Sequence, residues 1–184
     1  MNTKVSIIIP CYNEKNSILE IVKKINSLNI SKQIILIDDY SLDGTRTIID
    51  QKIKNIVDKV IFHEKNEGKG ACIISAIPYI IGDIVIIQDA DLEYNPDDYQ
   101  NLIDPIISNK TNVVYGSRVL NKKNYLTKRN FISNFRIFGN FILTKISNII
   151  NNQTLTDAHT CYKVFRKQTF IRINLKENGF NFCP

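Results

Sequence analysis

The sequence predicts an α/β protein with a mostly parallel sheet and helices on both faces. Three observations lead there. Short β-branched apolar runs alternate with segments of helical periodicity from about residue 5 to residue 115. The connections are short, as when helices cross between neighbouring parallel strands. Three of the apolar runs stop abruptly at carboxylates, as in "GDIVIIQDADLEYNPDD" at 82–98. In an open parallel sheet the carboxyl ends of the strands form the ligand-binding edge, so acidic residues there have a reason to exist.

The elements follow in order. "KVSIIIPCYNE" opens with a run from Val5 to Ile9, stopped by Pro10, and reads as a strand covered on both faces. In "NSILEIVKKINSL", Ile18, Ile21, Val22, Ile25 and Leu28 fall at helical spacing, with Asn16 or Ser17 as cap. "QIILIDD" is a second strand ending in Asp38 and Asp39, and "SLDGTRTIIDQKI" begins a second helix. "KVIFHE" is a third strand, and "NEGKGACIISAIPYII" is a Gly-rich turn entering a helix. "DIVIIQDAD" is the fourth strand, "NPDDYQNLIDPII" a helix with Pro96 in its first turn, and "NVVYGSR" a fifth strand. Near residue 117 the alternation gives way to a less regular remainder.

With 184 residues, 43% hydrophobic and 23% charged, the chain suits one globular domain. The net charge of +6 favours anionic partners. Residues 118–136 contain Arg118, Lys122, Lys123, Lys128, Arg129 and Arg136 and no acid, either a solvated face or a contact for anions. No nucleic-acid-binding signature accompanies them. Cys11, Cys72, Cys161 and Cys183 have no zinc-like spacing and no histidine at ligand spacing. No signal peptide is legible, which predicts reduced thiols and a cytoplasmic setting. No apolar run reaches the roughly 18 residues of a membrane span. "FGNFILTKISNII" (138–150) reads as an amphipathic helix, packed on the domain or lying at a membrane surface.

The acidic strand ends carry the chemistry. Pro10 to Glu14, Asp38-Asp39 and Asp89 to Glu93 are expected to converge on one edge. Asp89 and Asp91, one residue apart, suit Mg²⁺ or Mn²⁺, hard cations that also accept phosphate oxygens. Asp91 closing an Asx-turn or capping the next helix is the simpler account. "NEGKGA" is not a P-loop; Gly68 and Gly70 either admit a ligand to the backbone or make a tight turn, and Lys69 faces phosphate or solvent. One of Asp38 and Asp39 could accept an N–H from a nucleobase, unless the pair only caps the loop into the next helix.

Five motifs in this order, "SIIIPCYNE", "IILIDDYSLDGT", "NEGKGAC", "IIQDADLEYNP" and "VVYGSR", resemble the inverting glycosyltransferases of family 2, with their Rossmann-like GT-A fold. "LTDAHTCYKVFRK" and "LKENGFNFCP" are similar to the branch of dolichyl- and polyprenyl-phosphate mannose and glucose synthases. The resemblance implies transfer of a hexose from UDP-glucose or GDP-mannose, with a slight lean to UDP-glucose, to a lipid phosphate. It implies one domain over 1–184, with a nucleotide-sugar half (1–116) and an acceptor half (117–184) that looks cut short at Pro184. Pro10, Tyr12, Glu14 and Lys69 would border the donor. Ile37 and Asp39 would hold the base, Asp39 by accepting its imide N–H. Asp89, Ala90 and Asp91 would form the D-x-D element, with Asp89, Asp91 and Glu93 as ligands of Mg²⁺ or Mn²⁺. Arg118, Arg129 and Ser133 would hold the acceptor phosphate. Asp157 would lie near the transfer site, and Lys163 or Arg166 would contact phosphate. His159 reads as a local variation rather than an acceptor contact. A phosphate acceptor is already ionised and needs orientation more than a base; a sugar-hydroxyl acceptor, the alternative, needs Asp157 as base. A third reading is a module that binds the nucleotide sugar without turnover. The chain is expected at the inner face of the membrane as a peripheral protein.

Overall fold

The computed structural model describes residues 3–117, 131–158, 160–177 and 179. Its strands are β1 (Val5–Cys11), β2 (Lys32–Asp38), β3 (Lys59–Phe62), β4 (Ile84–Ile87), β5 (Val113–Tyr115) and β6 (Lys163–Arg166). The helices are α1 (Ile18–Ser27), α2 (Thr45–Ile48), α3 (Lys69–Ala76), α4 (Tyr99–Ile107), α5 (Phe131–Asn151) and α6 (Lys167–Arg172). Each of the five expected strands is present. The second helix has a shorter α part than expected: α2, four residues long, passes into a π-helical stretch, Ile49–Ile53, where Lys54 N donates to Ile49 O at 2.9 Å. The wider turn leaves both Ile49 and Ile53 fully buried.

The strands form one sheet in the order β3-β2-β1-β4-β6-β5. β1, β2, β3 and β4 are parallel, with Val5 opposite Lys32 and Ile84 and Cys11 opposite Asp38. The order reverses between β1 and β4, which makes the crevice beyond their carboxyl ends the topological switch point. β6 lies antiparallel between β4 and β5, pairing Ile84 with Arg166, Ile87 with Lys163 and Tyr115 with Lys163. A strand from the irregular remainder of the chain thus completes the sheet.

Alternate residues of each strand face opposite layers. Val5, Ile7, Ile9, Ile34, Leu36, Ile84 and Ile86 pack with α1, the π-helical stretch and α4. Ile8, Ile35, Ile37, Val85, Ile87 and Phe165 pack with Cys72, Ile73 and Ala76 of α3 and Phe170 of α6. Burial on both faces explains why these strands read as unbroken apolar runs rather than alternating ones. At the amino ends, the Ser6 hydroxyl donates to Gln33 Oε1 at 2.6 Å and accepts from Gly82 N at 2.9 Å. A Cβ at Gly82 would stand 2.6 Å from Ser6 N and 2.8 Å from Lys4 O, so this close approach requires glycine. No described helix is long and apolar enough to cross a membrane.

Candidate active site

The loops leaving β1, β2 and β4 meet at the switch point. After β1, Asn13 takes a left-handed conformation (φ 56°) and is locked to the β2 loop. Its N–H donates to Ser41 Oγ at 2.8 Å and its Oδ1 accepts from Leu42 N at 2.9 Å. Glu14 N donates to Thr45 Oγ1 at 2.9 Å, and the Glu14 carboxylate accepts from Ser17 Oγ at 2.5 Å. Tyr12 is 47% exposed, and Pro10 is half-buried.

The two aspartates after β2 do different work. Asp38 is fully buried; its Oδ2 accepts from Arg46 Nε at 2.5 Å and Ser41 N at 3.2 Å. Its Oδ1 has no hydrogen-bond partner among the described residues. Arg46 lies 5.2 Å from the ring centroids of both Tyr40 and Phe62, a cation–π position, and also donates to the His63 carbonyl. Asp39 is buried and holds the Gly-rich loop. Its Oδ1 accepts from Glu67 N at 2.9 Å and from His63 Nδ1 at 2.8 Å, and its Oδ2 from Gly68 N at 2.7 Å. A carboxylate only accepts, so Nδ1 carries the His63 proton and Nε2 faces Ser75 Oγ at 3.0 Å. The Cys72 thiol completes the group, and burial, with the Asp39 charge and its hydrogen bond, pushes that thiol well above its ordinary value of 9.0.

Ligating atoms of Asp39, His63 and Cys72 come within 4.8 Å of one another. Sequence spacing suggested no histidine partner for any cysteine; the fold supplies one, 9 residues away on another element. Both Asp39 oxygens accept from N–H donors, so in this structure the carboxylate supports the Gly-rich loop, with His63 and Cys72 beside it. Ile37, expected beside a base, is fully buried in the α3-side core, and its side chain offers no surface at the edge.

After β4 comes the D-x-D segment. Asp89 is 15% exposed and ion-paired with the ammonium of Lys69, itself 13% exposed. Ala90 is buried, while Asp91 and Glu93 are exposed. Asp91 Oδ1 accepts from Glu93 N at 3.0 Å, an Asx-turn; the cap of the following 3₁₀ turn is Asn95, whose Oδ1 accepts from Asp97 N. Asp89, Asp91 and Glu93 are hard oxygen donors of the type Mg²⁺ and Mn²⁺ take, but their carboxylates do not all lie within 4.8 Å of one another, and Asp89 is occupied by the Lys69 ammonium.

Sequence reasoning missed the residue that fixes this segment. Gln88, fully buried, donates through Nε2 to Asp89 O at 2.9 Å and to Tyr94 O at 3.3 Å. Its Oε1 accepts from Tyr99 Oη and Tyr162 Oη, each at 2.9 Å. Burial raises both phenol pKa values, aided at Tyr162 by Asp98 and at Tyr99 by Tyr162, so both hydroxyls remain donors. The only signal in the sequence is a glutamine at the end of an apolar run, where an amide has no place unless all its hydrogen bonds are made.

The chain before β6 is tied to the same place. Cys161 N donates to Tyr94 Oη at 3.0 Å, and Thr156 Oγ1 donates to Ser117 Oγ at 2.8 Å. Asp157 lies on this segment and is buried. Lys163 is at the carboxyl end of β4, buried, its Nζ donating to Thr160 O at 3.0 Å and lying 5.5 Å from the Tyr115 ring centroid. It borders a cleft of about 310 Å³ with Tyr115, Phe165 and residues 173–177. Arg166 corrects an expectation. It pairs with Ile84, at the opposite end of β4, and its guanidinium binds Asn112 Oδ1 (2.9 Å), Ile106 O and Asn109 Oδ1 (both 2.7 Å). A phosphate at the carboxylate edge is out of its reach, because antiparallel β6 runs away from that edge. Arg118, Arg129 and His159 lie outside the described residues, and for Ser133 only its place in the first turn of α5 is described.

The six-stranded, mostly parallel sheet with its crevice at the β1–β4 switch point is a Rossmann-like α/β architecture of the GT-A kind. Glycosyl transferase family 2 matches residues 6–173, and the chain belongs to that family. The chain is 32% identical over 181 residues to a UDP-N-acetylglucosamine–dolichyl-phosphate N-acetylglucosaminyltransferase of Methanococcus voltae, covering 88% of this chain and 68% of that protein. It is 29% identical to a dolichol-phosphate mannosyltransferase of Pyrococcus furiosus, covering 96% of this chain but only 50% of the relative. The fold is shared with a Pyrobaculum calidifontis mannosyltransferase solved with GDP-Man and Mn²⁺, at TM-score 0.64 and 18% identity over 94% of this chain and 47% of the other. It is shared also with the Mycobacterium tuberculosis glucosyl-3-phosphoglycerate synthase solved with Mn²⁺, UDP and phosphoglyceric acid, at TM-score 0.65 and 16% identity over 90% and 56% of the two chains.

Proposed function

We propose that the chain is the catalytic part of an inverting glycosyltransferase that moves a hexose from UDP-glucose or GDP-mannose to a polyprenyl or dolichyl phosphate. The observation that carries the reading is the acidic D-x-D segment at the switch point, with a cation seated on Asp89 and a buried amide holding the segment in place. The relatives that act on dolichyl phosphate support the acceptor class. Residues 1–116 serve the donor and 117–184 the acceptor, within one domain.

Tyr12, Pro10 and Glu14 line the β1 side of the donor, and Asp39 meets the base. Its oxygens already hold the Gly-rich loop, so a base N–H that reaches Asp39 shares an oxygen with Glu67 N or Gly68 N. Asp89, Asp91 and Glu93 are the residues that would hold a divalent ion, which would supply neutralisation of charge on the nucleoside diphosphate leaving group. Lys69 adds a second cation beside it. Arg118, Arg129 and Ser133 orient the acceptor phosphate, which is ionised at neutral pH and needs no base. Asp157 then serves by position rather than as a proton acceptor.

The acceptor lipid sets the location. Ile142, Ile146, Ile149 and Ile150 of α5 are exposed at helical spacing, and residues 118–136 are basic. That pairing of apolar stripe and positive charge suits an anionic membrane surface, with the protein peripheral to it.

The test is a melting titration with UDP and GDP, each with and without Mn²⁺, followed by transfer to polyprenyl phosphate. A nucleotide at about 100 times its Kd adds roughly 2.7 kcal/mol, which is on the order of 5–10 °C for a chain of this size. A shift seen with one nucleotide, and only with metal, supports the reading and names the base. No shift with either, in folded protein, removes it.

A further inference from the structure

We infer that Asp39, His63 and Cys72 form a binding site for one Zn²⁺-class ion, separate from the carboxylates after β4. One ligating atom from each of the three lies within 4.8 Å of the other two. All three residues are buried, at 3%, 9% and 1% exposure. They come from three elements: Asp39 just past β2, His63 just past β3, and Cys72 in the first turn of α3. A carboxylate, an imidazole and a thiolate are the donors that Zn²⁺ takes, and the sulfur and nitrogen discriminate against Mg²⁺ and Mn²⁺.

The hydrogen bonds already present accommodate the ion. The proton on His63 Nδ1 points at Asp39 Oδ1, 2.8 Å away. The ion takes that proton's place between the same nitrogen and oxygen. The imidazole proton then resides on Nε2, where Ser75 Oγ at 3.0 Å accepts it, since a hydroxyl serves either tautomer. Zinc bonds to nitrogen and oxygen of about 2.0–2.2 Å at the tetrahedral angle span roughly 3.4 Å, so the two side chains part by only about 0.5 Å. The amides of Glu67 and Gly68 keep their bonds to Asp39, because each carboxylate oxygen offers two lone pairs. Charge favours the complex as well. Without an ion, a Cys72 thiolate sets a second negative charge beside Asp39, and burial together with that charge holds the thiol protonated. With the ion bound, the thiol proton passes to solvent, and the carboxylate, the thiolate and the divalent ion sum to zero. A neutral cluster is the form in which charges are buried at least cost. Water takes the fourth tetrahedral position. The ion thereby ties the ends of β2 and β3 to α3 beneath the Gly-rich loop.

The experiment uses Co²⁺ as the spectroscopic probe for Zn²⁺, on a chain carrying Cys161→Ser and Cys183→Ser so that Cys72 and buried Cys11 are the remaining thiols. The expected result is one Co²⁺ per chain, with a thiolate-to-cobalt charge-transfer band and the intense visible bands of a tetrahedral site. Zn²⁺ displaces the cobalt, and excess Mg²⁺ does not. Zn²⁺ at about 100 times its Kd raises the melting temperature by about 5–10 °C. Adding Cys72→Ser abolishes the charge-transfer band. Adding His63→Gln weakens Co²⁺ binding at least about tenfold, and this variant carries the test if Cys72→Ser does not fold. A folded chain without the band, or a band that survives both changes, overturns the inference. The weak spectrum of octahedral cobalt, indifferent to both changes, marks an adventitious ion only and overturns it too. None of these readouts involves a nucleotide, so the donor-site reading and this site stand or fall separately.

Discussion

Replacing Gln88 by Leu preserves most of the side-chain volume and removes every hydrogen bond the amide makes. Four groups lose the hydrogen bond that the amide makes to them: the hydroxyls of Tyr99 and Tyr162 and the carbonyls of Asp89 and Tyr94. Tyr99 is 1% exposed and Tyr162 4%, so water does not substitute for the amide at the phenols. An orphaned buried polar group costs about 1–3 kcal/mol. The two phenols, both reaching for the same oxygen, can turn to each other and recover one bond. The net loss is then about 3–5 kcal/mol, or roughly 6–20 °C in Tm for a chain of this length. Urea unfolding measures it, with Tyr99→Phe and Tyr162→Phe completing the cycle. Once the phenols are gone, Gln88→Leu should cost at least about 1 kcal/mol less, because contacting residues do not add. The Asp89 and Tyr94 carbonyls bracket the D-x-D segment, so the folded variant should also lose much of its stabilisation by nucleotide with metal. A loss under about 1 kcal/mol, or strict additivity with both tyrosine changes, would show that the amide is not the segment's anchor.

The remaining expectations are simpler to state. Arg46→Ala strands buried Asp38, and although Arg46 is about a third exposed, the loss should be near 3 kcal/mol, largely recovered in Arg46→Ala/Asp38→Asn; equal stability of the single and double variants would refute it. Asp91→Asn keeps an acceptor for Glu93 N, so unfolding free energy should change by under about 0.5 kcal/mol while the metal-dependent nucleotide shift disappears. Burial raises Cys11 and Cys72 above their ordinary 9.0 and Tyr99 and Tyr162 above 10.0. The unfolded chain loses those protons first, so stability is full below pH 9 and falls as pH rises through 9 and beyond, which urea midpoints between pH 7 and 11 would reveal.

The sequence by itself determined the sheet's first four strands, their parallel order of crossings and the acidic edge. Val5–Ile9, Ile34–Ile37 and Ile84–Ile87 are runs that only burial on both faces explains, and the polar residues after each mark the carboxyl edge of the sheet. These are local signals, carried by residues next to one another. Tertiary structure alone decided the rest. "KVFR" is four residues with no period to read, and it becomes β6 because Lys163 to Arg166 find unpaired edges on β5, 48 to 52 residues back, and on β4, 76 to 82 residues back. The same antiparallel direction sends Lys163 to the site and Arg166 away from it. Asp39 looked like a residue waiting for a base, but the returning Gly-rich loop brings two amides, and β3 and α3 bring His63 and Cys72, to its carboxylate. Gln88 gains its meaning from two tyrosines 11 and 74 residues away, and Lys69 from an aspartate 20 residues on. Hydrogen bonds and ion pairs act over about 3 Å, a distance that sequence separation does not encode, so what each polar residue faces is settled only when the strands and helices have packed.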